Sequence, residues 1–275
     1  MLADGGIRTC PCGAPRSRLA QYYSAGETDF VLCGDCGCVF RSNFPTEVEL
    51  VDIYKKAYSS TNINEIETEQ ESGDYSIQSY ANYLLSSITR SGDRILDYGA
   101  GTGALVATLR SQGYDTQGVE FATNAREFCA TERQISLQAN LECTPDNHYQ
   151  VITMIEVIEH LTDLTETLSE LYRVLAPGGT LLVTTPSRTG IRARLEKGYW
   201  REAQKKFHLF LFDRRSIFFH MKKAGFTGIR RKLFGPLQKP GLQFALYARA
   251  TQLVGLSGTL CVIAHKEPGP LQEPG

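Results

Sequence analysis

Residues 94–105 read Arg94-Ile95-Leu96-Asp97-Tyr98-Gly99-Ala100-Gly101-Thr102-Gly103-Ala104-Leu105. The apolar start predicts a buried strand, and the residues from Gly103 to Gln112 predict a helix. Between them, Gly99, Gly101 and Gly103 let the chain turn tightly and let a ligand approach the backbone without a Cβ in the way. A helix N-terminus beside such a turn presents free amides. Glu120 closes the next strand signal, Thr116 to Glu120, where it can accept hydrogen bonds from ribose hydroxyls. Gly99, Gly101 and Ala104 also satisfy a dinucleotide fingerprint, so an NAD-dependent oxidoreductase is the first rival reading. Asp97 weighs against it. Two residues before the first glycine, its charge would face a pyrophosphate, whereas it suits a ligand carrying an amino-acid ammonium.

Outward from this turn the pattern alternates. Strand signals at 150–155, 180–184, 228–233 and 259–265 are interleaved with helical spacing at 124–133, 164–175, 212–224 and 242–254. Ala176-Pro177-Gly178-Gly179 reads as the stop of one helix. Such alternation implies a parallel sheet covered on both faces. Upstream, apolar residues at helical spacing predict helices over 46–58 and 75–90, joined by an acidic connector containing Glu65, Glu67, Glu69 and Glu71. The Pro- and Gly-rich end, Glu267 to Gly275, is expected to be disordered.

Eight cysteines occur, five of them between Cys10 and Cys38. Cys10-Pro11-Cys12 and Cys33-Gly34-Asp35-Cys36 resemble the two knuckles of a zinc ribbon around a short strand at Asp29 to Leu32. Four thiolates in a tetrahedron suit zinc, and the expected ligands are Cys10, Cys12, Cys33 and Cys36. The first pair is one residue tighter than ribbons usually have, which keeps Cys38 open as a substitute. A structural zinc would supply a core that so small a segment cannot build alone.

Taken together, several stretches resemble the class I S-adenosylmethionine (SAM)-dependent methyltransferases. They are 95–105, Glu120, Ile155-Glu156-Val157-Ile158-Glu159-His160, 173–186, 208–213 and 222–226. With the Cys-rich start, the chain looks like a bacterial group bearing an N-terminal zinc-ribbon-like segment, often associated with glycan, lipid or natural-product modification. The resemblance implies an α/β, Rossmann-like, seven-stranded sheet with the last strand antiparallel and SAM at the strand ends. It divides the chain into a zinc-ribbon-like segment (1–45), a helical connector or lid (46–90), a methyltransferase domain (91–266) and a tail (267–275). It implies that Asp97, Gly99, Gly101 and Gly103 line the methionine and ribose side and that Glu120 holds the ribose. Phe121 would lie against the adenine, Asn140 or Leu141 near its edge, and Ile155 and Glu156 beside the cofactor. Gln150 stands where the family commonly has Asp, a departure expected to matter for local structure.

Glu159, His160 and the distant His208 are the candidate chemical centre. Methyl transfer to oxygen needs an aligned path and removal of the acceptor's proton, and a histidine with an ordinary pKa near 6.5 suits a general base. Some relatives with this Glu-x-x-Glu-His string bind a divalent ion; Glu156, Glu159, His160 and His208 would be that set, in a metal-assisted RNA- or catechol-type methyltransferase. The plainer alternative is that Glu159 and His160 cap and orient the next loop.

Charge is distributed unevenly. The 275 residues carry a net charge of −1, which excludes a strongly basic nucleic-acid binder on bulk charge, and 42% hydrophobic with 21% charged residues excludes a mainly disordered chain. Yet residues 188–232 hold 14 Lys and Arg against Glu196, Glu202 and Asp213, a local +11. Such a wall suits an anionic small molecule, glycan or lipid-linked acceptor, with Arg188, Arg192 and Arg194 as candidate contacts; RNA fits less well, and solvated helix faces are the bland alternative. With no signal peptide and no apolar run that reads as a membrane span, a cytoplasmic protein is expected.

Overall fold

The computed structural model describes residues 9–26, 28–59, 62–63, 77–232 and 256–269. From the N-terminus come β1 (Leu19–Ala25), β2 (Thr28–Cys33), β3 (Val39–Arg41), α1 (Glu47–Ala57) and α2 (Ile77–Ser87). The central run is β4 (Arg94–Tyr98), α3 (Ala104–Ser111), β5 (Asp115–Val119), α4 (Thr123–Glu132), β6 (Tyr149–Ile155), α5 (Leu164–Val174) and β7 (Leu175–Pro186). Then follow α6 (Ile191–Glu196), α7 (Arg201–Gln204), β8 (Phe210–Leu211), α8 (Arg214–Lys223), β9 (Thr227–Arg231) and β10 (Thr259–His265). The 242–254 helix, the acidic connector and the end beyond 269 lie outside the described residues. Among the described residues, no helix is long and apolar enough to cross a membrane.

The larger sheet has the order β5-β4-β6-β7-β10-β9, parallel except for β10, which runs antiparallel to both neighbours. Its inner strands β4, β6, β7 and β10 are mostly apolar because both faces are covered, while the edge strands β5 and β9 are more polar. Successive side chains go to opposite faces. Leu96, Ile152, Met154, Leu181 and Val183 pack with Leu168 and Leu171 of α5 and Ile217 of α8. Ile95, Val151, Leu182 and Ile263 pack with Tyr80 and Leu84 of α2 and Leu105 and Leu109 of α3. This sheet has six strands among the described residues. The place of a seventh, outside β5, is reduced to one rung, where Glu120 N donates to Gln138 O and Gln138 N to Gly118 O, both at 2.9 Å. Gln150 does have a local structural part: its Oε1 accepts from Arg94 N at 2.9 Å, tying β6 to the start of β4.

Two local readings change. Ala176 to Gly179 does not follow a helix as a free turn. Tyr149 pairs with Leu175 and Val151 with Thr180, so the Pro-Gly-Gly run is an irregularity within β7, which already begins at Leu175. The helix expected from Phe212 begins at Arg214, because Asp213 caps it: the carboxylate accepts from Ser216 N at 2.8 Å. That frees 210–211 to extend.

Those two residues link the halves of the molecule. The Cys-rich hairpin and β8 form one antiparallel sheet, β1-β2-β3-β8, with Val39 opposite Leu211 and Phe40 opposite Phe210. At the end of β3, buried Arg41 (4% exposed) donates from Nε to His208 O at 2.9 Å. Its Nη2 donates to Lys205 O at 2.8 Å and Ala203 O at 3.3 Å, and its Nη1 to Thr28 Oγ1. One guanidinium thus satisfies three carbonyls of the segment that carries His208. Arg188 is spent similarly. It pairs with Asp213 and donates to Tyr22 Oη at 3.2 Å and Gly37 O at 3.1 Å, so its expected role as an anion contact gives way to a structural one.

Arg41→Met keeps much of the side chain's length but leaves these carbonyls unpaired. It should cost roughly 3 kcal/mol in a denaturant titration. A loss below about 0.5 kcal/mol would remove the clamp from the account.

Candidate active site and cysteine centre

β4, β5 and β6 end side by side, each with a carboxyl group near its end. Asp97 pairs with Gly118 on one side and Thr153 on the other. Its carboxyl is buried (5% exposed), accepts from Thr153 Oγ1 at 2.7 Å, and is pushed up to about 6, chiefly by burial. Glu120 accepts from Gly101 N at 2.8 Å and from Ala122 N at 2.7 Å. Burial raises its pKa against those bonds.

The glycine turn fills the space between them. Gly99 has φ +79°, and a Cβ there would meet Val157 Cγ2 at 2.4 Å. Gly103 has φ +78°, and a Cβ there would meet Cys129 Sγ at 2.3 Å. Neither position admits a side chain without rearrangement. Above Gly101 the nearest atom to a built Cβ is Tyr58 Oη, at 3.3 Å. Just past β5, Phe121 is 63% exposed, with the Tyr54 ring 6.2 Å away. Helix α1 therefore roofs the turn. Burial, reinforced by the nearby Glu120 charge, raises the pKa of both phenols, Tyr54 to about 12.

Past β6 the chain turns sharply. Glu156 has φ +54°, a conformation rarely adopted by a residue with a side chain, and its buried Oε1 has no hydrogen-bond partner. Burial, then the Glu159 charge, raises it well above the usual carboxylate range. One 3-10 turn, Ile158–His160, points Glu159 inward (1% exposed), where its Oε2 accepts from Thr185 Oγ1 at 2.8 Å. Burial pushes Glu159 up to about 7. His160 Nδ1 lies 2.9 Å from Phe207 O, and a carbonyl can only accept, so Nδ1 carries the proton and Nε2 keeps its lone pair. Nε2 is 3.8 Å from Glu159 Oε1. Burial lowers His160 to about 4 in place of the expected ordinary value, which makes the ring neutral at pH 7. His208 packs edge-on to His160 at 4.8 Å, is 3% exposed and is driven far below the usual range by burial. Its Nδ1 lies 3.6 Å from Glu202, which pairs with Lys205 at 2.6 Å.

Sulfurs of Cys10, Cys12, Cys33 and Cys36 all lie within 4.8 Å of one another, with Cys10–Cys36 at 3.4 Å and Cys12–Cys33 at 3.6 Å. Tetrahedral zinc with Zn–S of about 2.3 Å sets sulfurs about 3.8 Å apart, so this donor set fits the ion. Backbone amides of Ala14 and Cys38 point at Cys12 and Cys36 sulfurs, both at 3.4 Å. Cys38 lies outside the group, its own sulfur toward Val39 O. Cations hold the knuckles to the rest of the chain: Lys223 Nζ donates to Cys12 O at 2.8 Å and Arg215 to Asp35 O at 2.8 Å.

Residues 67–230 match a family described as a methyltransferase domain. The chain belongs to this methyltransferase family. A ubiquinone biosynthesis O-methyltransferase of Methylococcus capsulatus is 27% identical over 117 residues, 39% of this chain and 49% of that protein. A ubiquinone/menaquinone biosynthesis C-methyltransferase of Psychromonas ingrahamii is 34% identical over 107 residues, 34% of this chain and 43% of that protein. The chain spans half or less of the length of these curated relatives. Among solved structures, phosphoethanolamine N-methyltransferase 2 of Haemonchus contortus, in complex with SAM, superposes with a TM-score of 0.60 at 19% identity, over 87% of this chain and 64% of that one. A SAM-dependent methyltransferase of Thermotoga maritima gives 0.57 at 18%, over 78% of this chain and all of that one. At these identities the solved structures speak to fold alone, and the fold agrees.

For this methyltransferase, membership goes against the dinucleotide reading of the glycine turn. SAM fits the cradle. Asp97 is a buried carboxyl whose ionisation a cation would favour, Glu120 presents a carboxylate beside open backbone, and the glycines leave no Cβ in the turn. Ile155 and Glu156 end β6 on the same edge, and buried Leu141, not exposed Asn140, packs into the core there. Sequence reasoning missed Arg41, Tyr54, Tyr58, Glu202 and Lys205. Thr46-x-x-Glu49 before α1 was the available signal for the roof, since it forms a capping box that starts that helix.

The raised Glu159 has a thermodynamic signature. Between its usual value of 4.5 and about 7 the folded state holds a proton that the unfolded state releases, so its contribution to stability falls as pH rises through that window. Glu159→Gln removes this fall. From pH 5 to pH 8 the wild type should lose roughly 2 kcal/mol relative to the variant in denaturant melts. The opposite trend from His160, whose pKa is lowered, is common to both proteins. Parallel pH profiles would mean that Glu159 titrates normally.

Proposed function

We propose that this protein transfers the methyl group of SAM to a hydroxyl oxygen of an anionic acceptor. The observation that carries the oxygen reading is the neutral His160, its tautomer fixed by the Phe207 carbonyl so that the Nε2 lone pair is available as a base. SAM, when bound, supplies an electrophilic methyl on a sulfonium. Asp97 would hold the methionine ammonium, Glu120 the ribose hydroxyls and Phe121 one face of the adenine. Gly99, Gly101 and Gly103 would give the backbone its close approach, with Ile155 and Glu156 alongside. Tyr54 and Tyr58 would exclude water from above. His160 would take the acceptor's proton at Nε2, with the Phe207 carbonyl placing the ring, Glu159 beside Nε2 and His208 packing behind it.

In this reading residues 1–45 are a structural zinc-ribbon-like segment, 46–90 a connector with a lid, and 91–266 the catalytic domain. Cys10, Cys12, Cys33 and Cys36 would hold zinc, which supplies cross-linking and no step of the transfer. Reduced thiolates of this kind suit the cytoplasm. The ribbon joined to this domain supports a place among methyltransferases of glycans, lipids or natural products. The basic 188–232 stretch supports an anionic acceptor, although Arg188 is committed elsewhere and Arg192 faces Glu196.

A second reading has one observation in its favour: donor atoms of Glu159, His160 and His208 lie within 4.8 Å of one another. A divalent ion there would polarise the acceptor hydroxyl. Manganese-dependent turnover, lost on His208→Gln with cofactor affinity intact, would favour it over the base.

Calorimetry with S-adenosylhomocysteine tests the main reading without knowledge of the acceptor. The wild type should bind it and ignore NADH, and Asp97→Asn and Glu120→Gln should each weaken binding by about tenfold or more. Full affinity in both variants would sink the assignment. In a turnover assay that follows S-adenosylhomocysteine release over a panel of phosphorylated, hydroxylated acceptors, His160→Gln should lose about a hundredfold in rate.

Metal analysis should find about one zinc per chain, lost on Cys33→Ser together with thermal stability. Retention of one equivalent by that variant would exclude Cys33 from the ligand set.

A further inference from the structure

Helix α8 lies across both cysteine knuckles. Near its start, Arg215 Nη2 donates to Asp35 O at 2.8 Å and to Gly34 O at 3.3 Å, and a Cβ built on Gly37 would stand 3.1 Å from Arg215 Cδ. At its end, Lys223 Nζ donates to Cys12 O at 2.8 Å and to Pro11 O at 3.2 Å. One end of the helix thus holds the second knuckle and the other end the first. His220 precedes Lys223 by one turn, so the two share a face. Its ring is 2% exposed, and the side chain with which it hydrogen-bonds is that of Cys36. Its Nε2 is buried with no hydrogen-bond partner among the described residues. A ring this dry costs free energy unless its N–H meets an acceptor.

A metal-bound thiolate is such an acceptor. On the zinc reading above, the ion's two charges against four thiolates leave an excess of negative charge, and Cys10, Cys33 and Cys36 are all buried. Donors around the sulfurs must meet it. Backbone amides supply two, from Ala14 to Cys12 and from Cys38 to Cys36, both at 3.4 Å. We propose that His220 supplies another, its ring N–H donating to the Cys36 thiolate of the loaded centre, so that a helix of the methyltransferase domain completes the surroundings of the metal. A thiolate can only accept, so the ring proton sits on the nitrogen that faces the sulfur, and the other nitrogen keeps its lone pair. A buried acceptor without a partner is better tolerated than a buried N–H without one. The ring is a positioning group and not a ligand: Cys10, Cys12, Cys33 and Cys36 already bring their sulfurs within 4.8 Å of one another, and His220 stands outside that group.

The donor belongs to the other half of the chain. Ile217 and Met221 of α8 share one buried cluster with Cys10, Cys33 and Cys36 and with Leu168 and Leu171 of α5. Metal affinity is therefore a property of the assembled chain, set in part by a residue far from the knuckles in sequence.

The test is the zinc affinity of the full chain, measured by competition with a chromophoric chelator, together with the visible spectrum of the cobalt-loaded protein. His220→Phe fills the same space and donates nothing. It should weaken zinc binding by roughly tenfold to a hundredfold and shift the thiolate-to-cobalt charge-transfer band. His220→Gln, which keeps a side-chain N–H, should recover part of both. Unchanged far-ultraviolet circular dichroism in each variant establishes that the fold is kept. If His220→Phe fails to fold, the wild type answers alone: loaded with an NMR-active cadmium isotope, it should show a scalar coupling between the metal and the His220 ring proton. Zinc affinity and a cobalt spectrum that His220→Phe leaves as they are, equal losses in the Phe and Gln variants, or a cadmium-loaded wild type without that coupling overturns the proposal. A wild type that takes up no metal at all brings down the zinc reading itself.

Discussion

Strand order reverses at β4. The chain steps from β4 outward to β5, then returns to the other side for β6, so the connections after these strands part at one edge of the sheet and leave a crevice. The candidate site depends on that divergence. Asp97 sits in the gap, Glu120 on one bank, Glu156 and Glu159 on the other. The glycine turn is what lets backbone, not side chain, form the floor. The apolar periodicity that buries both sheet faces thereby fixes where polar chemistry can emerge.

The crevice gathers four buried carboxyl groups, and burial raises the pKa of each. In part they raise one another: Glu120 acts on Asp97, and Glu159 on Glu156. Such a cluster is unfavourable without compensation, and what compensates it is positive charge. In the proposed function, a donor carrying both an ammonium and a sulfonium would supply that charge, and would lose the sulfonium when its methyl group leaves. The same electrostatics that favour entry of the charged donor therefore weaken the hold on its neutral-sulfur product. His160 obeys the complementary rule. Burial keeps it uncharged, and an imidazole without its second proton is one that can accept it.

Much of this was legible in the residues. Strands of continuous Val, Ile and Leu, and the Asp-x-Gly-x-Gly-x-Gly turn after one of them, declare a buried parallel sheet and a ligand crevice; β10 falls on the expected residues, 259–265. What escaped was non-local. Nothing in the three residues of β3 or the two of β8 announces a strand, because β3 is extended by lying between β2 and β8, and β8 by pairing with β3, about 170 positions away. Arg41 reads as one more surface cation, and Tyr54 and Tyr58 as the apolar side of a helix. Arg188 shows the converse error: its place in a basic run suggested a ligand contact, while Asp213, distant in sequence, had already claimed it. The pKa of His160 is likewise a property of its surroundings, so no reading of neighbouring residues could supply it.

The pairing of β3 with β8 also changes what a cysteine knuckle is for. Were the ribbon an appendage, any metal it held would matter only to itself. Here β3 continues from the second knuckle, carries Arg41, and through Arg41 fixes the backbone at 203, 205 and 208. The next residue, Leu209, donates to the carbonyl of Glu159 at 2.7 Å. The path from thiolate to candidate base is therefore short and made of buried hydrogen bonds with a single favourable geometry. Loosening the knuckles would free β3, and with it the wall that keeps His160 and His208 dry. Solvent reaching those rings would return His160 toward an ordinary pKa and let it protonate near neutrality, removing the lone pair of the proposed base. A metal held by these four thiols would thus govern the proposed chemistry without touching it.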